Sequence, residues 1–358
     1  MGPVMPLPKQ NAGDAPPKDG GKPKAKGHAK GPPPDVVGVE IGAGLSQGAP
    51  AVRLRRAPDG TLRIAAAGFV PVVSDIESIL AMPADMRGPW ALPPEFRAPC
   101  AALAVTAPDA IVRQSDSVED ATADFDASTL RTKASSAAKK GALPFVAFMP
   151  EELARRVARL LPEGHRPTAV SIQVSPLARV NAFAASPELK AAGGTALLVQ
   201  IASNATTIAL FAKGAVSLYR ELSVGEADSL RAVAGPMNVD DATARELLEG
   251  GLVDPAPFLG PLVMPIFRQA ELSTDYVLRR NGLVVDRFFV AGPPALAPHW
   301  AAIFRDQTGR DVAVCNPIAD FPQEEGASLP ADFAKVSGLF AAALGAAAAA
   351  MQEEEDEA

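Results

Sequence analysis

Along the chain, apolar residues gather into two separated blocks of short runs at strand spacing, each followed by stretches whose apolar positions recur at helical spacing. In the first block Val36 to Gly42 is an apolar run, a glycine-rich turn follows through Gly44 and Gly48, and Ala51 to Arg56 alternates Val52 and Leu54 with Arg53 and Arg55. Leu62 to Val70 is the third strand, with Asp59-Gly60 as the hairpin turn before it. In the second block Thr195 to Ile201, a small-residue turn at Ala202 to Asn204, Thr206 to Phe211 and, after Lys213-Gly214, Val216 to Leu222 repeat the plan. Each block predicts a three-stranded meander.

After each meander the period moves toward 3.6. Ser74 to Met82 predicts a helix that Ser74 caps, with Ile76, Ile79 and Leu80 on one face. Asp240 or Asp241 caps a second, lined by Ala244, Leu247 and Leu248. Phe258 to Arg280 predicts a longer one, through Leu262, Ile266, Ala270 and Tyr276 to Leu278. Ser115 to Lys140 is rich in small and polar residues and predicts part of a small, weakly packed insertion. Val336 to Met351 is uncharged, shorter than the roughly 20 residues a membrane span needs, and mostly alanine. It predicts a buried terminal helix, with Gly338 and Gly345 spaced for close approach to a sheet.

The ends differ from this body. Residues 1 to 34 hold nine prolines and six lysines against Asp14 and Asp19, a net +4 with almost nothing apolar, and predict a disordered arm. Residues 351 to 358 form an acidic tail. The whole chain of 358 residues carries 34 Lys+Arg against 41 Asp+Glu, and without a basic cluster in its body it offers nucleic acid no landing site. Its 48% hydrophobic content suffices for two lobes. Cys100 and Cys315 stand far apart and predict core residues in a reducing compartment, and no secretory signal is visible.

Catalytic constellations are scarce. Gly44-Leu45-Ser46-Gln47-Gly48 spells a hydrolase elbow, but that chemistry needs a strand–turn–helix, and here a strand follows Pro50. His28 lies in the arm, and His165 and His299 lack an orienting carboxylate at useful spacing. There is no Walker A lysine motif and no Cys/His metal spacing.

Two tandem strand–turn–strand units with tight turns are the arrangement by which actin-type lobes hold phosphates from both sides. Val37-Gly38-Val39-Glu40-Ile41-Gly42 resembles the first phosphate loop of the PilM family, and Leu198 to Thr207 its second, normally Val-Asp-Ile-Gly and then Thr-Thr. Tyr219 to Gly225 is similar to the family's Arg-x-Ile-x-x-Gly segment, Val174 to Ala178 to its helix entry, Phe288 to Gly292 to its adenosine-loop strand, and Asn316-Pro317-Ile318 to its Asn-Pro-Phe. The motifs stand in family order from about residue 36 to residue 350.

The resemblance implies an α/β actin-like two-lobed fold, with duplicated RNase H-like mixed sheets. Residues 35–105 and 169–192 would form the first lobe, 106–168 an inserted subdomain and 193–350 the second lobe. It implies a cytoplasmic scaffold at the inner face of the inner membrane that grips the N-terminal segment of a PilN-like bitopic protein, within a type IV pilus or type II secretion platform. Its nucleotide positions would be Glu40, Gly42, Ala43, Gly44, Gln200, Ala202, Ser203, Asn204, Thr206, Gly225, Gly292 and Pro293. Several depart from the family: Glu40 and Gln200 stand for Asp, Ala202 and Pro293 for Gly, and the helical segment Arg245 to Leu248 lacks a Lys. The departures predict a non-enzyme with no cofactor; the alternatives are an FtsA-like protein holding ATP and magnesium, or an actin-fold kinase.

Overall fold

The structure, a computed structural model, describes residues 33–83, 85–115, 117–134, 145–162 and 166–352. The expected arm through residue 32, the acidic run from residue 353, His28 and His165 lie outside them. The first meander forms as β1 (Asp35–Ile41), β2 (Ala49–Arg56) and β3 (Leu62–Val70), followed by helix α1 (Ile76–Ala81) and β4 (Cys100–Val105). Asp75, not Ser74, caps α1: its Oδ1 accepts the Ser78 N–H at 2.7 Å, while the Ser74 carbonyl accepts the Gly42 N–H. On α1 Ile79 is buried, but Leu80 faces solvent.

The insertion holds β5 (Ile111–Gln114), α2 (Val118–Ala121), β6 (Leu130–Ala134), β7 (Phe145–Pro150) and α3 (Glu151–Ala158), with strand order β5-β7-β6. It is better packed than its composition suggests. One face of β7 closes a small core in which Phe148 meets Phe125 at 5.3 Å, and Phe145, Ala147 and Met149 on the other face join the main core. Alternation along β7 serves two cores at once.

The chain returns through β8 (Thr168–Val174), α4 (Ser175–Ala185) and α5 (Pro187–Ala191). The second lobe then runs β9 (Ala196–Ile201), β10 (Thr206–Ala212), β11 (Ala215–Leu222), α6 (Glu226–Met237), α7 (Asp241–Glu249), α8 (Ala256–Asn281), β12 (Phe288–Ala291), α9 (Ala297–Thr308) and β13 (Val312–Val314). Asp240 caps α7 by accepting the Thr243 N–H at 2.7 Å. The buried stripe of α8 is Leu259, Val263, Ile266, Phe267, Ala270 and Val277, whereas Tyr276 and Leu278 point outward.

Both lobes share one strand plan. The first sheet reads β3-β2-β1-β4-β8 and the second β11-β10-β9-β12-β13, each an antiparallel meander extended by two parallel strands. The duplication is therefore topological, and the fold is actin-like. The lobes meet through Phe183 of α4, whose ring lies 5.2 Å from both Phe211 of β10 and Phe289 of β12.

After β13 the chain leaves the second lobe, which corrects its expected boundary at residue 350. Strand β14 (Gln323–Ser328) pairs with β3 on the first sheet, and α10 (Phe333–Val336) and α11 (Ala341–Ala350) follow. Every residue of α11 is buried, packed among β1, β2, β4 and α4. A helix apolar all round must be covered on all sides, and the slot between the first sheet and α4 covers it. Phe333–Ala350 reaches the length and hydropathy of a minimal span, yet 72% of it is buried inside the fold. The close approaches are made by Gly345 and Gly38: a Cβ on Gly345 would stand 1.7 Å from the Ala178 carbonyl oxygen, and one on Gly38 1.8 Å from that of Ala343. Gly338 makes no such approach.

Gly345→Ala is thus expected to destabilise the protein by about 2 kcal/mol or more, overpacking outweighing the roughly 1 kcal/mol of helix propensity that alanine gains. The loss should be read as a lowered midpoint in denaturant melts. A second expectation concerns Glu188 of α5, near the returning chain. Burial is the largest cause raising the Glu188 pKa and the facing Asp320 carboxyl adds to it, while the Ser186 hydroxyl and the Glu188 N–H act the other way. The folded state holds this proton more tightly than the unfolded chain, so the contribution favours folding at low pH and fades as pH rises through the raised value. Glu188→Gln, whose amide N–H can donate to Asp320, should raise stability at pH 7 by about 1 kcal/mol and flatten that decline, read as melting temperature against pH.

Candidate functional site

Glu40 lies near the end of β1, and the turn from β1 to β2 carries Gly42, Ala43 and Gly44. Gly42 has φ 80°, and a Cβ there would lie 1.9 Å from the Thr106 carbonyl oxygen, so the turn demands glycine on two counts. Its N–H is taken by Ser74. Gly44, at φ 68°, is open to solvent with nothing near. The elbow-like pentapeptide is only this turn: the Gly48 N–H donates to the Leu45 carbonyl, and a strand follows.

Glu40, at the end of β1, is 2% exposed. Its Oε1 accepts from the Thr106 hydroxyl at 2.8 Å and from Arg179 Nη2 at 2.5 Å. Arg179 stands on α4 with its side chain 18% exposed. Neither partner was singled out by the motifs. The available signal was local: an arginine between Ala178 and Val180, on a helix whose neighbours are apolar, needs a buried acidic partner.

On the second lobe, Ala202, Ser203, Asn204, Thr206 and Gly225 are brought together. The Ala202 and Ser203 carbonyls accept the Glu226 and Ala227 N–H groups at the start of α6, each at 2.9 Å, and the Thr206 hydroxyl donates to the Val224 carbonyl at 2.6 Å. A Cβ on Gly225 would meet three backbone atoms of this loop within 2.7 Å. Two of the helix's first N–H groups are thereby occupied by the loop itself. The Gly225 N–H is capped by Asp228 at 2.9 Å. Ser203 and Asn204 are exposed.

Gly292 lies against Ile201 at the end of β9, and the Pro293 carbonyl accepts from Leu296 and Ala297 to open α9. Pro293 itself has no N–H to offer. Arg245 of α7 pairs with Glu226 at the start of α6. His299 Nε2 lies 3.1 Å from the Leu248 carbonyl and ties α9 to α7.

Gln200, Thr207 and Glu221 sit side by side across β9, β10 and β11 by register, on the face turned to the first lobe. Gln200 is 5% exposed and its Oε1 has no hydrogen-bond partner among the described residues. Buried Tyr219 donates to Glu221 Oε2 at 2.8 Å, and burial, followed by that carboxylate's charge, pushes the phenol well above its ordinary value. Thr207 and Arg179 act the other way, which places both within electrostatic reach of the phenol. The insertion reaches this wall too: Gln114 accepts the Tyr219 N–H at 3.3 Å and donates to the Ser217 carbonyl at 3.2 Å, and Phe145 packs on the Tyr219 ring.

A cavity of about 480 Å³ lies away from the cleft, at the β2–β3 turn and β14, where Arg55 meets Glu324 and Arg63 meets Asp59. No group of three or more His, Cys, Asp or Glu able to hold a metal occurs among the described residues. Cys315 is buried and Cys100 half-buried, both as free thiols, and burial pushes both up.

No family model and no curated protein sequence matches the chain. Among solved structures, a chain of the PilM-PilN type IV pilus biogenesis complex is similar, with a TM-score of 0.61 and 17% identity over 88% of this chain and 98% of that one. The ethanolamine utilization protein EutJ from Carboxydothermus hydrogenoformans has a TM-score of 0.44 and 16% identity, covering 88% of this chain and 90% of its own. The archaeal actin homolog Ta0583 has a TM-score of 0.40 and 13% identity, covering 89% and 99%. The likeness that the motifs carry to PilM proteins thus recurs in three dimensions over most of an actin-like fold.

Proposed function

We propose that this protein is a scaffold of a type IV pilus or type II secretion platform, which binds the cytoplasmic N-terminal segment of a PilN-like bitopic membrane protein. The observation that carries the proposal is the likeness, over nearly the full length of both chains, to a chain of the PilM-PilN complex. It would work in the cytoplasm, reaching the inner membrane only through its partners. The segment would lie extended in a groove, held by backbone hydrogen bonds and side-chain pockets.

We further propose that it does so without nucleotide. A magnesium-held phosphate needs carboxylates free to order the metal's water, and backbone N–H groups free to approach phosphate. Here Glu40 is held by Thr106 and Arg179, Gln200 is neutral, Gly42 donates to Ser74 and Pro293 has no donor. These residues do not fit ATP and magnesium.

Co-purification with the cytoplasmic segment of the bitopic protein encoded beside it tests the first proposal. A complex is expected, and none at about 100 μM, where even weak interfaces are populated, would sink it. Melting with and without about 1 mM Mg-ATP tests the second, since a micromolar site would add roughly 4 kcal/mol. No shift is expected; a rise abolished by EDTA would restore the FtsA-like alternative.

A further inference from the structure

Beside the turn from β1 to β2, the first strand ends on a buried acid. Glu40 is 2% exposed, and a carboxylate so placed needs a cation or a proton. The cation at hand is Arg179, carried by α4, with Thr106 supplying a further donor to the same oxygen. Arg179 is itself only 18% exposed in its side chain and lies within electrostatic reach of Tyr219 on the opposite lobe. On that wall the Glu221 carboxylate accepts a hydrogen bond from Tyr219.

We infer that Arg179 is the resident counter-ion of the cleft, neutralising Glu40 in the stead of a divalent cation, so that the lobes close on a protein side chain. A guanidinium does this permanently, being always charged and tethered to α4, whereas a metal would come and go with nucleotide. The inference rests on the nucleotide-free reading above and adds to it the residue responsible. It also makes the cleft one substitution away from responding to metal: without Arg179, the Glu40 carboxylate and Thr106 hydroxyl are two adjacent hard oxygen donors, and water would supply a metal's other ligands.

The experiment uses the full chain in three forms, wild type, Arg179→Met and Arg179→Met with Glu40→Gln, melted in EDTA and in about 5 mM MnCl2, a concentration that populates millimolar oxygen-donor sites. In EDTA, Arg179→Met should melt several degrees below wild type and the double variant should recover most of that loss, because the buried charge is gone. Manganese should raise the melting temperature of Arg179→Met while leaving wild type and the double variant unmoved. A manganese-indifferent Arg179→Met, or a double variant no more stable than the single, would overturn the inference. Should Arg179→Met be unfolded in EDTA, recovery of its fold in manganese reads the same way, and failure to recover overturns it. Arg179→Lys, which keeps a cation, should stay folded and indifferent to manganese, and a manganese shift in it would also overturn the inference. A Mg-ATP shift in wild type would instead sink the nucleotide-free reading, so the two failures are distinguishable.

Discussion

A carboxylate cannot remain charged at the end of a buried strand unless its partner is held there as firmly as it is. Glu40 imposes that requirement on α4, because the partner is Arg179 and the helix must present it at hydrogen-bonding distance. The same helix turns Phe183 toward Phe211 and Phe289 of the second lobe, and Ala178 toward Gly345 of the last helix. One ion pair, one aromatic junction and one glycine contact are therefore coupled through a single eleven-residue element. Moving any of them by a turn of helix would break the other two.

This coupling bears on how the two lobes relate. In the interlobe region the apolar groups form one continuous cluster, running from β1 and β4 through α4 to β9, β10 and β12. The insertion is drawn into it by Phe145 and clipped to β11 by Gln114. Polar groups of the second lobe are joined to one another, Tyr219 to Glu221 and Arg245 to Glu226.

The glycine positions show which parts of the site were legible from residues alone. Gly42 and Gly225 each close a motif that the sequence makes visible, and in the structure both make close approaches, one against Thr106 and the other against the Ala202 to Ala205 loop. Each of those readings needed only local order, a strand running into a tight turn. Arg179 and Thr106 escaped notice because they lie 139 and 66 residues from Glu40, and nothing in a linear pattern pairs one arginine with one glutamate. Gln114 meets Tyr219 across 105 residues, from an insertion whose composition suggested only loose packing.

By itself the order of amino acids determined the two meanders, the turns between their strands, the start of α7 at Asp240 or Asp241 and the buried character of the last helix, because periodicity and turn chemistry act within a few residues. Which lobe receives that last helix was decided only in three dimensions. An all-alanine face carries no mark of its destination, and α11 lies on the first sheet since Gly38 and Gly345 leave a slot there of the right depth. Glu40 was placed in the same way: its burial and its pairing with Arg179 depend on the packing of α4 against β1, which no local pattern announces.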